Sequence, residues 1–577
     1  MPSHPGACIA GLLPGAGVAV WFALSGPAHA EQVQVPCGDP RCLLEQALTI
    51  REAIGKPTSG IAETSSFAAL GLFDEADAIV ARHPALTWRA SILPNLGLAR
   101  ALAGDRTTAT ALFHDGAAAL ETFGADDTRV FEPLLDLVAD MARAGDVHGA
   151  RIAAITVTRG RLPWMRPIVL ARLAAAAEEV GAPDPALWDE AAMLTTAFDY
   201  ADWNLLAMQG VGRLAAQAGR PDKAFALADD ADALIRALPS PAYLDASGRR
   251  ETTPAAIRAA AIFTLARQGK FQDALAELEK HRAHGLTDPT HTTHDSFGDV
   301  LAVVAHRIPA GTHDGALVDA LHQAADAVTG PPMWQAEWLA EVGPALGRLG
   351  DEAGQAAVLA RIERLAAGLE VPEKRHRALV HLAVALHRAG QGEPAERAFA
   401  QAAALLDAIT DRDAAHLAAY TQIQGLAATG RGEAAWAFAD HVVALPLAQH
   451  RPHEQHFLRW VAFTMALEAG FEDQALWMLD RAASQEERDS FRGWLVGALA
   501  QAGRFDEARA ALAQIADSRE KAELMTVLAQ AMIRVKGGPL RPAWVQTPDP
   551  SVPYTHTLPA VWPLYRDSPL FSPNSIY

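Results

Sequence analysis

The hexapeptide Gly503-Arg-Phe-Asp-Glu-Ala508 decides how this chain reads. Before it, Phe491, Leu495, Ala498, Leu499 and Ala502 recur at i, i+4, i+7, i+8 and i+11, which is one face of a helix. After it, Phe505, Ala508, Leu512 and Ile515 form a second apolar stripe at helical spacing. Gly503 stands where the first helix must end, because glycine enters the left-handed C′ conformation without steric cost. Asp506 and Glu507 fall at the positive N-terminal end of the second helix. Ala508 is small, as suits a point where two helices approach closely. The hexapeptide is therefore the turn of a helical hairpin.

The same turn recurs along the chain. Gly, four residues and Ala appear at Gly71/Ala76, Gly104/Ala109, Gly145/Ala150, Gly181/Ala186, Gly219/Ala224 and Gly269/Ala274. They continue at Gly311/Ala316, Gly390/Ala395, Gly430/Ala435, Gly470/Ala475 and Gly503/Ala508. Gly350 fills the remaining place, with Gln355 at the Ala position. Successive glycines are 33 to 42 residues apart, with one spacing of 50. That is the period of a helical hairpin repeat.

Gly-x-[FY]-[DE]-[DE]-Ala between two amphipathic helices resembles the inter-helix turn of tetratricopeptide repeats. Gly503, Phe505, Asp506, Glu507 and Ala508 match it, as do Gly71, Phe73, Asp74, Glu75 and Ala76. The resemblance covers roughly residues 57 to 535 and points to exported bacterial proteins of this TPR-like type. It implies an all-α fold, a right-handed α-solenoid of about twelve helix-turn-helix repeats. Most units exceed the family's length, and the aromatic residues of its first helix are mostly missing. Hairpins of this kind bury their apolar faces only by stacking on neighbours. Twelve units point to an open superhelix with a long concave groove and no enclosed pocket. The helical pattern from Cys42 to Ile54 then reads as a cap on one end.

The flanks divide the chain further. Residues 1–30 hold no Asp, Glu, Lys or Arg, and Ala28-His29-Ala30 follows an apolar run from Ala7 to Leu24. Small residues at −3 and −1 fit signal peptidase, so cleavage falls after Ala30 and the mature protein is periplasmic or secreted. Cys8 leaves with that segment. Residues 31–56 form an N-terminal loop and capping helix. There Cys37 and Cys42 flank Gly38 and Pro40, a spacing that closes a small disulfide in an oxidising compartment. The repeat array occupies residues 57–536. Residues 537–577 carry nine prolines interleaved with Trp544, Tyr554, Trp562, Tyr565 and Phe571, an extended composition. That tail reads as a floppy extension or one lying along the last repeats, with a docking strand for a partner as the alternative.

Composition sets the function classes. Lys+Arg is 49 against Asp+Glu 68, a net charge of −19, which disfavours nucleic acid as a partner. No later stretch is apolar enough for stable membrane insertion after signal cleavage. His281, His284, His291 and His294, with Asp288 and Asp295 nearby, have spacing compatible with a metal site, but Gly285 and Pro289 mark a polar loop between hairpins. His450, His453 and His456 surround Pro452 in the same way. The loop reading is preferred for both, so no metal and no cofactor is assigned. Tryptophans concentrate in the C-terminal half, and by the register of the resemblance Trp460 falls on the groove. The expectation is a non-catalytic, exported scaffold that binds a peptide or envelope protein in the concave groove of the solenoid. The alternative is an all-α enzyme, toroidal or superhelical, acting on polysaccharide or peptidoglycan.

Overall fold

A computed structural model describes residues 37–54, 61–82, 86–124, 127–238, 249–282, 296–312, 314–444 and 452–535. Within them lie 26 α-helices, two short 3-10 turns and no strand. Ala30 and residues 537–577 fall outside the described residues.

The helices alternate as the turn motif requires. In most hairpins a longer first helix is followed, across a tight turn, by a second that packs back on it, as in Pro332–Arg348 with Glu352–Ala367 and Gln485–Gln501 with Phe505–Ala513. All twelve motif glycines have positive φ, between 72° and 93°. Gly430 adds a packing constraint, since a Cβ there would lie 2.8 Å from the Phe471 ring. The alanine five residues on is buried at nine of the twelve turns, with Ala76, Ala224, Ala395 and Ala508 at zero exposure. Ala186 and Ala316 are exposed instead. Their helices start two residues later, capped by Asp184 and Asp314, and the buried place moves on by one, to Leu187 and Leu317. After Gly350 the cap is Asp351, and Gly354 is the buried small residue.

Most first helices are buried almost all round, because they touch their own second helix, the preceding second helix and both neighbouring first helices. In Pro372–Arg388 every residue from Ala378 to Leu386 is buried. Second helices keep an exposed polar face.

The two ends of the chain meet. Ser518–Val535 occupies the place of a first helix, and the helix that packs back on it is Pro40–Ala53 from the other terminus. Ser518–Val535 also touches Ile61–Ala69, as one first helix touches the next. One buried apolar cluster runs through this seam, joining Cys37, Leu43, Leu44, Phe67 and Ala76 to Leu512, Met525 and Met532. The open superhelix expected from the repeat number is therefore corrected to a closed circuit. The N-terminal helix, expected as a cap, supplies the missing half of the last hairpin. The reason is energetic: an open array leaves one apolar face bare at each end, and pairing the two faces removes both from water.

Candidate functional site

Polar contacts fix the seam. Asp39 caps the N-terminal helix by accepting from the Cys42 backbone N–H at 3.0 Å, and the Cys37–Cys42 disulfide closes around this cap. Arg509 Nη1 donates to the Cys37 carbonyl at 3.2 Å. Glu63, wholly buried, pairs with Arg51 Nη1 at 2.8 Å and accepts from Thr526 Oγ1 at 3.1 Å. One carboxylate thus ties together three helices from both ends of the chain.

A second polar cluster lies across three successive first helices, Ser296–Arg307, Pro332–Arg348 and Pro372–Arg388. Arg388 Nη1 donates to both carboxylate oxygens of Glu341, at 2.6 and 2.7 Å, and His306 Nδ1 lies 3.1 Å from Oε2. One turn earlier, Arg377 Nη2 donates to Glu337 Oε2 at 3.2 Å, with His381 Nε2 3.6 Å away. Arg348 donates to the carbonyls of Ile308 and Ala305 at 2.9 and 2.7 Å. Burial pushes the Glu341 carboxyl up, but the Arg388 guanidinium and His306 outweigh it and hold the group well below the ordinary range. Burial, reinforced by Arg377, lowers both His376 and His381 to about 3, so both imidazoles are neutral at pH 7. Chemically this is an interior ion-pair ladder. Its carboxylates are buried and paired with guanidinium, and Glu341 is held ionised, which suits holding helices in register and not proton transfer to a substrate.

Aromatic residues gather on the last hairpins. Phe463 stacks on Phe491 at 4.4 Å and 5°, and Trp436 meets the edge of Phe491 at 6.1 Å. Arg459 lies over the Trp436 ring at 5.1 Å. Outside this core, Trp460 on Pro452–Glu468 meets Trp494 on Gln485–Gln501 edge to face, with centroids 5.5 Å apart at 70°. Trp460 is half-buried, while Trp494 is 44% exposed, a large fraction for a tryptophan in the middle of a first helix. This pair is the candidate binding surface. Sequence register pointed to Trp460, and the structure adds Trp494 as its neighbour.

The remaining predicted residues are placed as follows. Cys37 and Cys42 are bonded to each other. His281 is the second-last residue of the helix Phe271–Arg282, whereas His284, His291 and His294 lie outside the described residues. His453 and His456 are on the helix Pro452–Glu468, and His450 lies outside. Among the described residues no three His, Cys, Asp or Glu side chains are grouped to hold a metal ion. No helix there is long and apolar enough to cross a membrane. Sequence reading missed the ion-pair ladder. Its signal was present in His381, set in the apolar run Ala378-Leu-Val-His-Leu-Ala-Val-Ala385, and in Glu337 and Glu341 one turn apart.

No family model matches this chain, and no curated protein sequence matches it. Among solved structures, a search returns the crystal structure of Ton1535 from Thermococcus onnurineus NA1. It is 16% identical, covering 63% of this chain and 98% of that one, with a TM-score of 0.25. A circular tandem repeat protein with novel repeat topology and enhanced subunit contact surfaces is 14% identical. It covers 87% of this chain and 98% of that one, with a TM-score of 0.15. Scores this low carry no argument for homology or function. The helical-repeat character of the chain rests on its own helices and their contacts.

Proposed function

We propose that the chain is an exported, non-catalytic interaction scaffold of the TPR-like type, built from about twelve right-handed hairpin repeats. It recognises a peptide or an envelope protein through an aromatic surface on its last first helices. The observation that carries this reading is the exposed indole of Trp494 set edge to face against Trp460. Tryptophan at a binding surface gives a large contact area for little loss of side-chain entropy. Export is supported by the Ala28-His29-Ala30 site and by the Cys37–Cys42 disulfide, which persists in an oxidising compartment. The test is a photo-crosslinking amino acid at position 494 in the native host. A discrete adduct with one envelope polypeptide supports the reading, and an absence of adducts under ultraviolet light overturns it.

A toroidal enzyme acting on polysaccharide or peptidoglycan is the second reading, favoured by the closed circuit of helices. It requires accessible carboxylates, and Glu337 and Glu341 are spent in buried ion pairs. Release of reducing ends from purified sacculi or polysaccharide by the purified protein would establish it.

A further inference from the structure

We propose that the Trp460–Trp494 surface takes an arginine side chain of a partner polypeptide, its guanidinium lying over the Trp494 indole and pairing with the Glu520 carboxylate. This rests on the reading of that pair as a binding surface, and it names the chemistry of what binds there.

The chain itself supplies the pattern. Arg377 lies over the Trp334 ring at 5.5 Å and donates to Glu337 Oε2 at 3.2 Å. Arg459 lies over the Trp436 ring at 5.1 Å and meets Asp440 Oδ1 at 2.6 Å. Arg481 lies over the Trp477 ring at 3.8 Å. In the first two, a guanidinium stacked on an indole is also held by a carboxylate. Trp494 departs from this pattern. Among the described residues no guanidinium lies over it, its ring contact is with Trp460, and it stays 44% exposed.

The carboxylate half of the arrangement is in place. Glu520, in the first turn of Ser518–Val535, lies against Gly493, the residue before Trp494. A Cβ on residue 493 would stand 2.6 Å from Glu520 Oε1, so glycine there leaves the room that the carboxylate occupies. Standard bond lengths then put Oε1 at most about 8 Å from the Trp494 Cα, a gap that one arginine side chain laid across the indole can bridge.

No cation of the chain fills the place. Arg519 pairs with Glu523 at 3.1 Å, Lys521 Nζ donates to the Ala513 carbonyl at 3.3 Å, and Arg492 Nη1 donates to the Gln514 carbonyl at 3.1 Å. Among the described residues none pairs with the Glu520 carboxylate. Burial, with Asp489, Asp517 and Glu523 nearby, pushes that carboxyl up to about 7. An incoming cation offsets both the burial and the like charges. Arginine fits better than lysine, because its planar guanidinium stacks on an aromatic face and still donates sideways to a carboxylate. The net charge of −19 draws basic segments to the whole molecule, whereas this site selects where one seats.

The experiment is a titration of the full, nitrogen-15-labelled chain at pH 8, followed through its indole N–H signals. The Trp494 signal is assigned with Trp494→Phe. The probes are N-acetylarginine amide and N-acetylcitrulline amide, which share a shape and differ in charge. The expected result is a saturable shift of the Trp494 signal by the arginine probe, with the citrulline probe about tenfold weaker. Glu520→Gln should weaken the arginine probe about tenfold, whereas Glu523→Gln, which removes the same charge one turn on, should change it less than about twofold. The signal of Trp188, fully buried, stays fixed and reports an intact fold. Equal affinities for the two probes, or for wild type and Glu520→Gln, overturn the proposal. A position-494 crosslink to an envelope polypeptide that persists in Glu520→Gln also overturns it, while leaving the binding surface standing. Arginine binding that depends on Glu520, without any crosslink, upholds the guanidinium site and removes the scaffold reading.

Discussion

The Thr526 hydroxyl donates to Glu63 Oε1 at 3.1 Å, across 463 residues of sequence. The two ends of the array meet at this bond. Because Glu63 also pairs with Arg51, the carboxylate holds the N-terminal helix, the first helix of the array and the last one together. A buried ion pair broken on one side leaves an uncompensated charge. Glu63→Ala is therefore expected to cost about 3–5 kcal/mol, and Thr526→Val about 1 kcal/mol for a lost neutral donor. Urea denaturation of the full chain measures both. Equal midpoints for Glu63→Ala and wild type would remove this carboxylate from the seam.

Acid should loosen the ion-pair ladder. His376 and His381 are held near pKa 3 in the folded chain, against about 6.5 when unfolded. Between those values the unfolded state binds more protons, so stability is full above about pH 6.5 and falls as pH drops toward 3. At pH 5 the loss is roughly 2 kcal/mol per histidine. Glu341, also lowered, adds a loss of the same sign once pH falls below its unfolded value. His381 faces Glu337 and Glu341 on one neighbouring helix and lies beside Arg377 and Arg388 on its own. A His376→Gln, His381→Gln double variant should flatten the decline in melting temperature between pH 7 and pH 5. An unchanged slope would show that these imidazoles are protonated in the folded chain.

Glu520 should act with the opposite sign. Burial, together with Asp489, Asp517 and Glu523, raises its carboxyl to about 7. A group raised above its unfolded value contributes stability below that value and loses it as pH rises through the folded one. Glu520→Gln is thus expected to stabilise the chain by roughly 2–3 kcal/mol at pH 8 and to be neutral below pH 5. Thermal melts of the two proteins at both pH values decide it. A stabilisation that persists at pH 4.5 would assign the effect to packing.

Gly503 and Gly390 have φ of 73° and 74°. Valine at either strains the left-handed turn, at a cost of roughly 1–3 kcal/mol. No neighbouring atom lies within 4 Å of the added Cβ, so the cost is backbone alone, and Asn should recover part of it. Identical melting curves for Gly503→Val and wild type would contradict the turn assignment.

The hairpins were legible because a helix stop, a small residue and two apolar stripes are all local in sequence. The twelve glycines could be placed one by one for that reason. Closure was not legible. No local pattern in Leu43, Leu44 and Ala47 says that their partner helix begins at Ser518. A hairpin split between the termini looks, in sequence, like two spare helices. Trp460 was legible through the register of its repeat, whereas Trp494 was known only as one of several tryptophans. Its exposure depends on how neighbouring first helices pack, which sequence does not carry. The ladder was half legible: a histidine inside an apolar run announces burial, but not that Glu337 lies opposite.

End-to-end closure is tested most directly by amide hydrogen exchange in a full-length Leu44→Asp variant. Leu44 is fully buried in the N-terminal helix, and a carboxylate there should expel that helix from the seam. Protection is then expected to fall in Ser518–Val535, at the far end of the sequence, while the distant helix Pro332–Arg348 keeps its wild-type exchange. Loss of protection confined to Pro40–Ala53, with Ser518–Val535 unchanged, would mean that the circuit is open.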